Sequence, residues 1–106
     1  MVKEVTAEDI QAIAREMQHI RSQIQTVSSQ ISEYGVTIDA LENQDSERPV
    51  YRSFGNILLE VEDMDSLSEG IRESKEALES HLNRLAERES ELRKEYERIA
   101  EAFEKG

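Results

Sequence analysis

At 106 residues the chain is long enough for one domain, yet it has no Trp, two Phe and only 37% hydrophobic residues, little for the core of a compact globule. Its net charge of −11 disfavours binding to nucleic-acid phosphates and to anionic membrane surfaces. The absence of cysteine excludes disulfides and thiolate chemistry and fits a reducing compartment. With 35% charged residues, disorder is the rival to a fold; the apolar residues decide against it, because they are periodic.

The first predicted element is a helix over residues 6–43. Ile10, Ile13, Met17, Ile20, Ile24, Val27, Ile31, Tyr34, Ile38 and Leu41 alternate steps of three and four. That is a heptad repeat sustained over more than four heptads, which demands a partner helix and imposes a left-handed supercoil. At ~1.5 Å per residue, the run spans roughly 47 Å. Thr6 with Asp9 forms a near capping box at the start, and Val5 and Ile10 occupy the two positions of a hydrophobic staple. Gly35 interrupts the helix interior at a cost of ~1 kcal/mol. It reads equally as a bend, a close helix approach or a tolerated glycine.

The polar run Asn43–Arg48 and the single proline, Pro49, break the helix. Residues 49–62 follow as a β-hairpin: alternating apolar residues around Gly55-Asn56 predict two short strands and a turn. Ile57, Leu59 and Val61 share one face of the second strand, and Glu60 and Glu62 the other. A two-stranded hairpin is marginal alone and leaves its edges open, so it is expected to join strands from other subunits.

A second helix is predicted over residues 65–104, with Ser66 and Glu69 as its capping box. Leu67, Ile71, Ser74 and Leu78 run in heptad phase. Leu82, Leu85, Glu89, Leu92, Tyr96, Ile99 and Phe103 continue one step out of register, which places a stutter at Ser74, Leu78 and Leu82. Glu89 falls at a core position, as a register-setting residue or a sign of mis-assigned phase. The fold class is mainly α: a long antiparallel two-helix coiled-coil hairpin with a small β-hairpin at the helix junction.

No residue set points to catalysis. His19 and His81 lack partners at ligand spacing and read as solvated helix residues. The carboxylates lie on wet faces, unsuited to the burial that acid/base work requires. There is no phosphate loop or nucleophile elbow around any Ser. No metal, cofactor or catalytic residue is expected. Met1–Thr6 lacks the apolar run of a signal peptide, and no stretch approaches the ~20 apolar residues of a membrane span, so a cytoplasmic location is expected.

The segment Val50-Tyr51-Arg52-Ser53-Phe54-Gly55-Asn56-Ile57-Leu58-Leu59-Glu60-Val61 resembles the hairpin of beta-class prefoldin subunits: Val-Tyr, a basic residue, two variable positions, Gly, then an apolar strand. The long helix with Leu residues leading to Leu85-Ala86-Glu87-Arg88-Glu89 follows, as in that family. The resemblance covers essentially the whole chain, as a single domain over residues 1–106. Arg88-Glu89, where many relatives have Gln-Glu, and Gly35 are departures.

The resemblance implies an ATP-independent cytosolic chaperone subunit. Four beta-class subunits would assemble with two alpha-class subunits through joined hairpins. Unfolded clients would be held at the coiled-coil tips and passed to a group II chaperonin. An archaeal origin fits a beta-class chain this short. Oligomer assembly is thereby assigned to Val50, Tyr51, Phe54, Gly55, Ile57, Leu59 and Val61. Client binding is assigned to Val5, Ile10, Ile13, Met17, Ile99 and Phe103, apolar residues at the terminal end with few neighbours beyond one partner helix. Two rivals are a scaffolding coiled coil, which needs no β-hairpin, and a dedicated single-partner helical chaperone resembling the tubulin-binding cofactors.

Overall fold

A computed structural model of the chain describes residues 4–105. Two long helices, α1 (Ala7–Glu42) and α2 (Met64–Lys105), are separated in the chain by a hairpin of β1 (Tyr51–Phe54) and β2 (Ile57–Glu60). No described helix is long and apolar enough to cross a membrane. The chain divides into two compact units, Met1–Ser28 with Ser80–Gly106, and Ser29–Glu79. Each helix contributes a segment to both.

The start of α1 is a reciprocal capping box. The Thr6 amide donates to Asp9 Oδ2 at 3.0 Å, and the Asp9 amide donates to Thr6 Oγ1 at 3.2 Å. Two of the amide donors that every helix start leaves unpaired are thereby satisfied. Val5 and Ile10, the staple positions, are both half-buried. At the other end, the Asn43 amide and side-chain Nδ2 both donate to the Asp39 carbonyl. An Asx turn follows, in which Asp45 Oδ1 accepts from the Glu47 amide at 3.0 Å.

The start of α2 corrects the expected cap. Ser66 does not cap the helix; it is the third helical residue, and its amide donates to Asp63 Oδ1 at 3.0 Å. The Asp63 carbonyl also accepts from Leu67. Asp63 is therefore the N-cap, its carboxylate doubly suited to the positive end of the helix dipole.

The heptad run of α1 is occupied as its spacing requires. Met17, Val27 and Ile38 are buried, the other seven are half-buried, and none is exposed. In α2 Leu85, Leu92 and Ile99 are buried. The phase differs from expectation near the start of α2. Ser74 is exposed and Lys75 is half-buried, because a lysine can lay its four-carbon stem along an apolar seam and keep the ammonium wet. The two successive four-residue steps accordingly fall at Leu67, Ile71 and Lys75, and the alternation from Lys75 to Ile99 is unbroken.

Gly35 does not mark a close approach among the described residues. A Cβ built there meets nothing within 4 Å, and its φ is not positive. Gly35→Ala should therefore raise the stability of the isolated chain by about 0.5–1 kcal/mol through lower unfolded-state entropy. Urea unfolding followed by circular dichroism measures this; a loss of stability would mean that the glycine is needed for its shape.

In the unit holding both terminal segments, ion pairs link the two helical segments. Arg21 Nε and Nη2 donate to Glu89 Oε1 at 3.2 and 3.1 Å, and Arg88 donates to Glu16 at 2.8 Å. The bond to Glu16, with its charge, holds the Arg88 guanidinium above its ordinary pKa range. Met17 and Arg21 line one groove with Arg93 and Tyr96. Glu89 lies in the apolar seam: its side chain is 16% exposed, between buried Leu85 and Leu92. Arg21 and Arg93 bracket it.

Such a pair specifies register more than it stabilises, since desolvation offsets most of the attraction. Glu89→Leu should raise the melting temperature, by about 1 kcal/mol of added stability, because both arginines return to water and the leucine completes the seam. A drop of that size would instead make the ion pair a net stabiliser.

Candidate functional site

The hairpin is the feature with the most unspent apolar surface. Its register pairs Tyr51 with Glu60, Arg52 with Leu59, Ser53 with Leu58 and Phe54 with Ile57, and the Val61 amide donates to the Val50 carbonyl at 2.8 Å. Only Gly55 and Asn56 lie between the strands. Gly55 has φ +57° and Asn56 has no positive φ, the pattern of a type II′ turn with glycine first, whose twist matches that of the flanking strands.

Alternation then sorts the side chains onto two faces. Val50, Arg52, Phe54, Ile57, Leu59 and Val61 share one; Tyr51, Ser53, Leu58 and Glu60 share the other. The first face overlooks a groove of about 590 Å³ whose lining includes Phe54, Leu59, Val61, Leu67, Gly70 and Ile71. Arg52 lies over the Phe54 ring, 5.2 Å from its centroid, a cation–π contact that keeps the guanidinium beside the apolar face.

Burial is distributed very unevenly between the two units. Of the large hydrophobics most exposed among the described residues, Val36, Tyr51, Phe54, Ile57, Leu58 and Leu59 all belong to the hairpin unit, and Phe103 alone to the terminal unit. Of those buried, Ile38 alone belongs to the hairpin unit. Ile57 is 54% exposed and Leu58 67%. Covering each such side chain is worth about 1 kcal/mol or more. Among the described residues both outer strand edges of this two-stranded sheet lack a strand neighbour, and free edges template further pairing. The arrangement can bind strands and apolar side chains.

The residues assigned to assembly are thus brought together: Tyr51, Phe54, Ile57 and Leu59 are exposed, Val50 and Val61 half-buried at the base of the hairpin, and Gly55 at its turn. The six assigned to client binding divide. Met17 and Ile99 are 7% and 6% exposed, spent on the seam between the two helical segments. Val5, Ile10 and Ile13 are half-buried, and Phe103 is 46% exposed. Val36, 70% exposed on α1, belongs to no predicted set; it falls outside the heptad run, and isolated off-seam valines carry no signal in a sequence. His19 and His81 are exposed, and no cluster of three or more potential metal ligands occurs among the described residues.

Comparison with known proteins bears on this geometry. The family model described as prefoldin subunit matches residues 5–105. The prefoldin subunit beta of Archaeoglobus fulgidus is 30% identical over 103 residues, covering 91% of this chain and 85% of the relative. That of Pyrobaculum islandicum is 28% identical over 93 residues, covering 88% and 74%. Among solved structures, the prefoldin beta2 subunit from Thermococcus strain KS-1 superposes with a TM-score of 0.74 at 26% identity, covering 87% of this chain and 97% of that one. The prefoldin beta subunit from the same strain superposes with a TM-score of 0.81 over 98% and 96% of the two chains; at 18% identity it speaks to the fold. Two long helices around a two-stranded hairpin, matched along nearly their whole length by beta-class sequences and folds, place this chain in the prefoldin family of chaperone subunits, in its beta class.

Proposed function

We propose that the chain works as one subunit of an ATP-independent holding chaperone, with the two units dividing the labour. The hairpin unit joins it to alpha-class prefoldin subunits, in a hexamer of two alpha and four beta. The terminal unit grips unfolded proteins for delivery to a group II chaperonin. The observation that carries this reading is the unequal burial: the hairpin unit leaves five consecutive-strand hydrophobics half exposed or nearly so, while the terminal unit has spent most of its apolar residues on its own seam. A surface of that kind is an unfinished interface rather than a finished domain. A scaffolding coiled coil has no use for it.

In the terminal unit, Phe103 with Val5, Ile10 and Ile13 offers weak apolar contacts, which suit many sequences because none is shaped to one. Met17 and Ile99 join them only where the helix ends fray. The test is suppression of aggregation of a denatured protein by the assembled complex without ATP. Dependence on ATP, or suppression no better than that of an inert coiled coil, would contradict the reading.

A further inference from the structure

We propose that the acidic collar around the hairpin selects the partner, so that the chain covering this sheet carries basic residues around its own hairpin and a second copy of this chain is rejected. This rests on the reading of the hairpin as the assembly joint. The charge of the chain is not spread evenly. Residues 29–79 hold thirteen acidic residues against four basic ones, a net −9, whereas residues 1–28 with 80–106 hold eleven against nine, a net −2. Nearly all of the excess therefore lies in the unit that exposes the unfinished sheet.

The bias persists next to the strands. Over residues 43–65, Asp45, Glu47, Glu60, Glu62, Asp63 and Asp65 oppose only Arg48 and Arg52, a net −4, and all eight are exposed. Arg52 is already engaged with Phe54. Asp45 and Asp63 each accept a backbone amide, those of Glu47 and Ser66, at 3.0 Å. Glu60 stands on β2 beside exposed Leu58 on the same face, so any chain docking there meets that carboxylate.

Two copies brought sheet to sheet would set collar against collar within a Debye length, about 10 Å at 0.1 M salt, where like charges repel most. A basic collar turns the same charges into attraction and faster encounter. The apolar faces supply adhesion without preference; the collar supplies the preference.

The chain itself provides the probe. Glu47→Lys, Glu60→Lys, Glu62→Lys and Asp65→Lys together turn the collar from −4 to +4 and leave every apolar residue and both amide-bound aspartates in place. A second variant, Glu47→Gln, Glu60→Gln, Glu62→Gln and Asp65→Asn, removes charge without adding any. Sedimentation velocity, with helicity checked by circular dichroism, reads association. At about 50 mM NaCl the wild type alone stays a monomer, the neutral variant self-associates, and wild type mixed with the lysine variant forms mixed assemblies. Raising salt to about 500 mM weakens the mixed assemblies by about tenfold or more.

Self-association of the wild type as tight as the mixture, or a mixture indifferent to salt, overturns the inference. Adding Ile57→Asp to the lysine variant separates the two claims. Mixed assembly that persists with it puts the joint elsewhere and defeats the hairpin reading. Wild-type self-association that Ile57→Asp abolishes leaves the hairpin as the joint and defeats the charge selection alone.

Discussion

Ile57→Asp or Leu59→Asp, each introduced singly, will abolish assembly with an alpha-class subunit while leaving both helices intact. Ile57 and Leu59 share one face of the hairpin with Phe54 and are 54% and 48% exposed in the lone chain. In the lone chain an aspartate there stays wet and costs little. Once a partner strand covers the face, the carboxylate must be buried without a paired charge, at a cost on the order of several kcal/mol per site. That exceeds the ~1 kcal/mol or more gained by covering each original side chain. The effect should therefore appear in association and not in folding. Light scattering should give the mass of an unassembled chain, and circular dichroism an unchanged helical signal. Normal assembly by either variant would remove the hairpin from the joint.

The second large effect is expected in the terminal unit. Deleting residues 1–9 and 100–106 should abolish most client holding and leave oligomer composition unchanged, because the hairpin unit, Ser29–Glu79, is untouched. The deletion takes away Phe103 and Val5. It also removes the Thr6–Asp9 capping box, typically ~1 kcal/mol of helix-end stability, which frays Ile10 and Ile13. Val2, also deleted, lies outside the described residues. Each lost contact is worth on the order of 1–3 kcal/mol at full burial, and less at a wet surface. Held together on one client, several such contacts multiply into useful affinity. Single substitutions should thus do little and the double truncation much. Undiminished suppression of aggregation by a truncated complex of normal composition would move the client site away from the terminal unit.

How much of this was legible in the sequence depended on how local the cause was. The α1 seam and the Gly55-Asn56 turn follow from spacing and from one glycine's freedom at positive φ, and both stand as read. The cap of α2 was misplaced because Asp63, Asp65 and Ser66 all have capping chemistry, and only the path of the backbone decides among them. Lys75 was passed over in favour of Ser74 because a charge at a seam position looks like a phase error until its half-burial is known. The burial of Met17 and Ile99, against the exposure of Phe103, was not legible at all. Periodicity tells which face of a helix is apolar, not where along it the partner helix stops covering that face. The polarity between an acidic hairpin unit and a near-neutral terminal unit was hidden for the same reason, since a net charge of −11 carries no position until the fold divides the chain.

The central claim, that an unfinished sheet makes this chain a subunit, is tested most directly by native mass measurement of the pure chain with and without an alpha-class prefoldin subunit. The account predicts an unassembled chain alone and, on mixing, a discrete complex of two alpha-class chains and four copies of this one. A mixture that contains only the separate chains would contradict it.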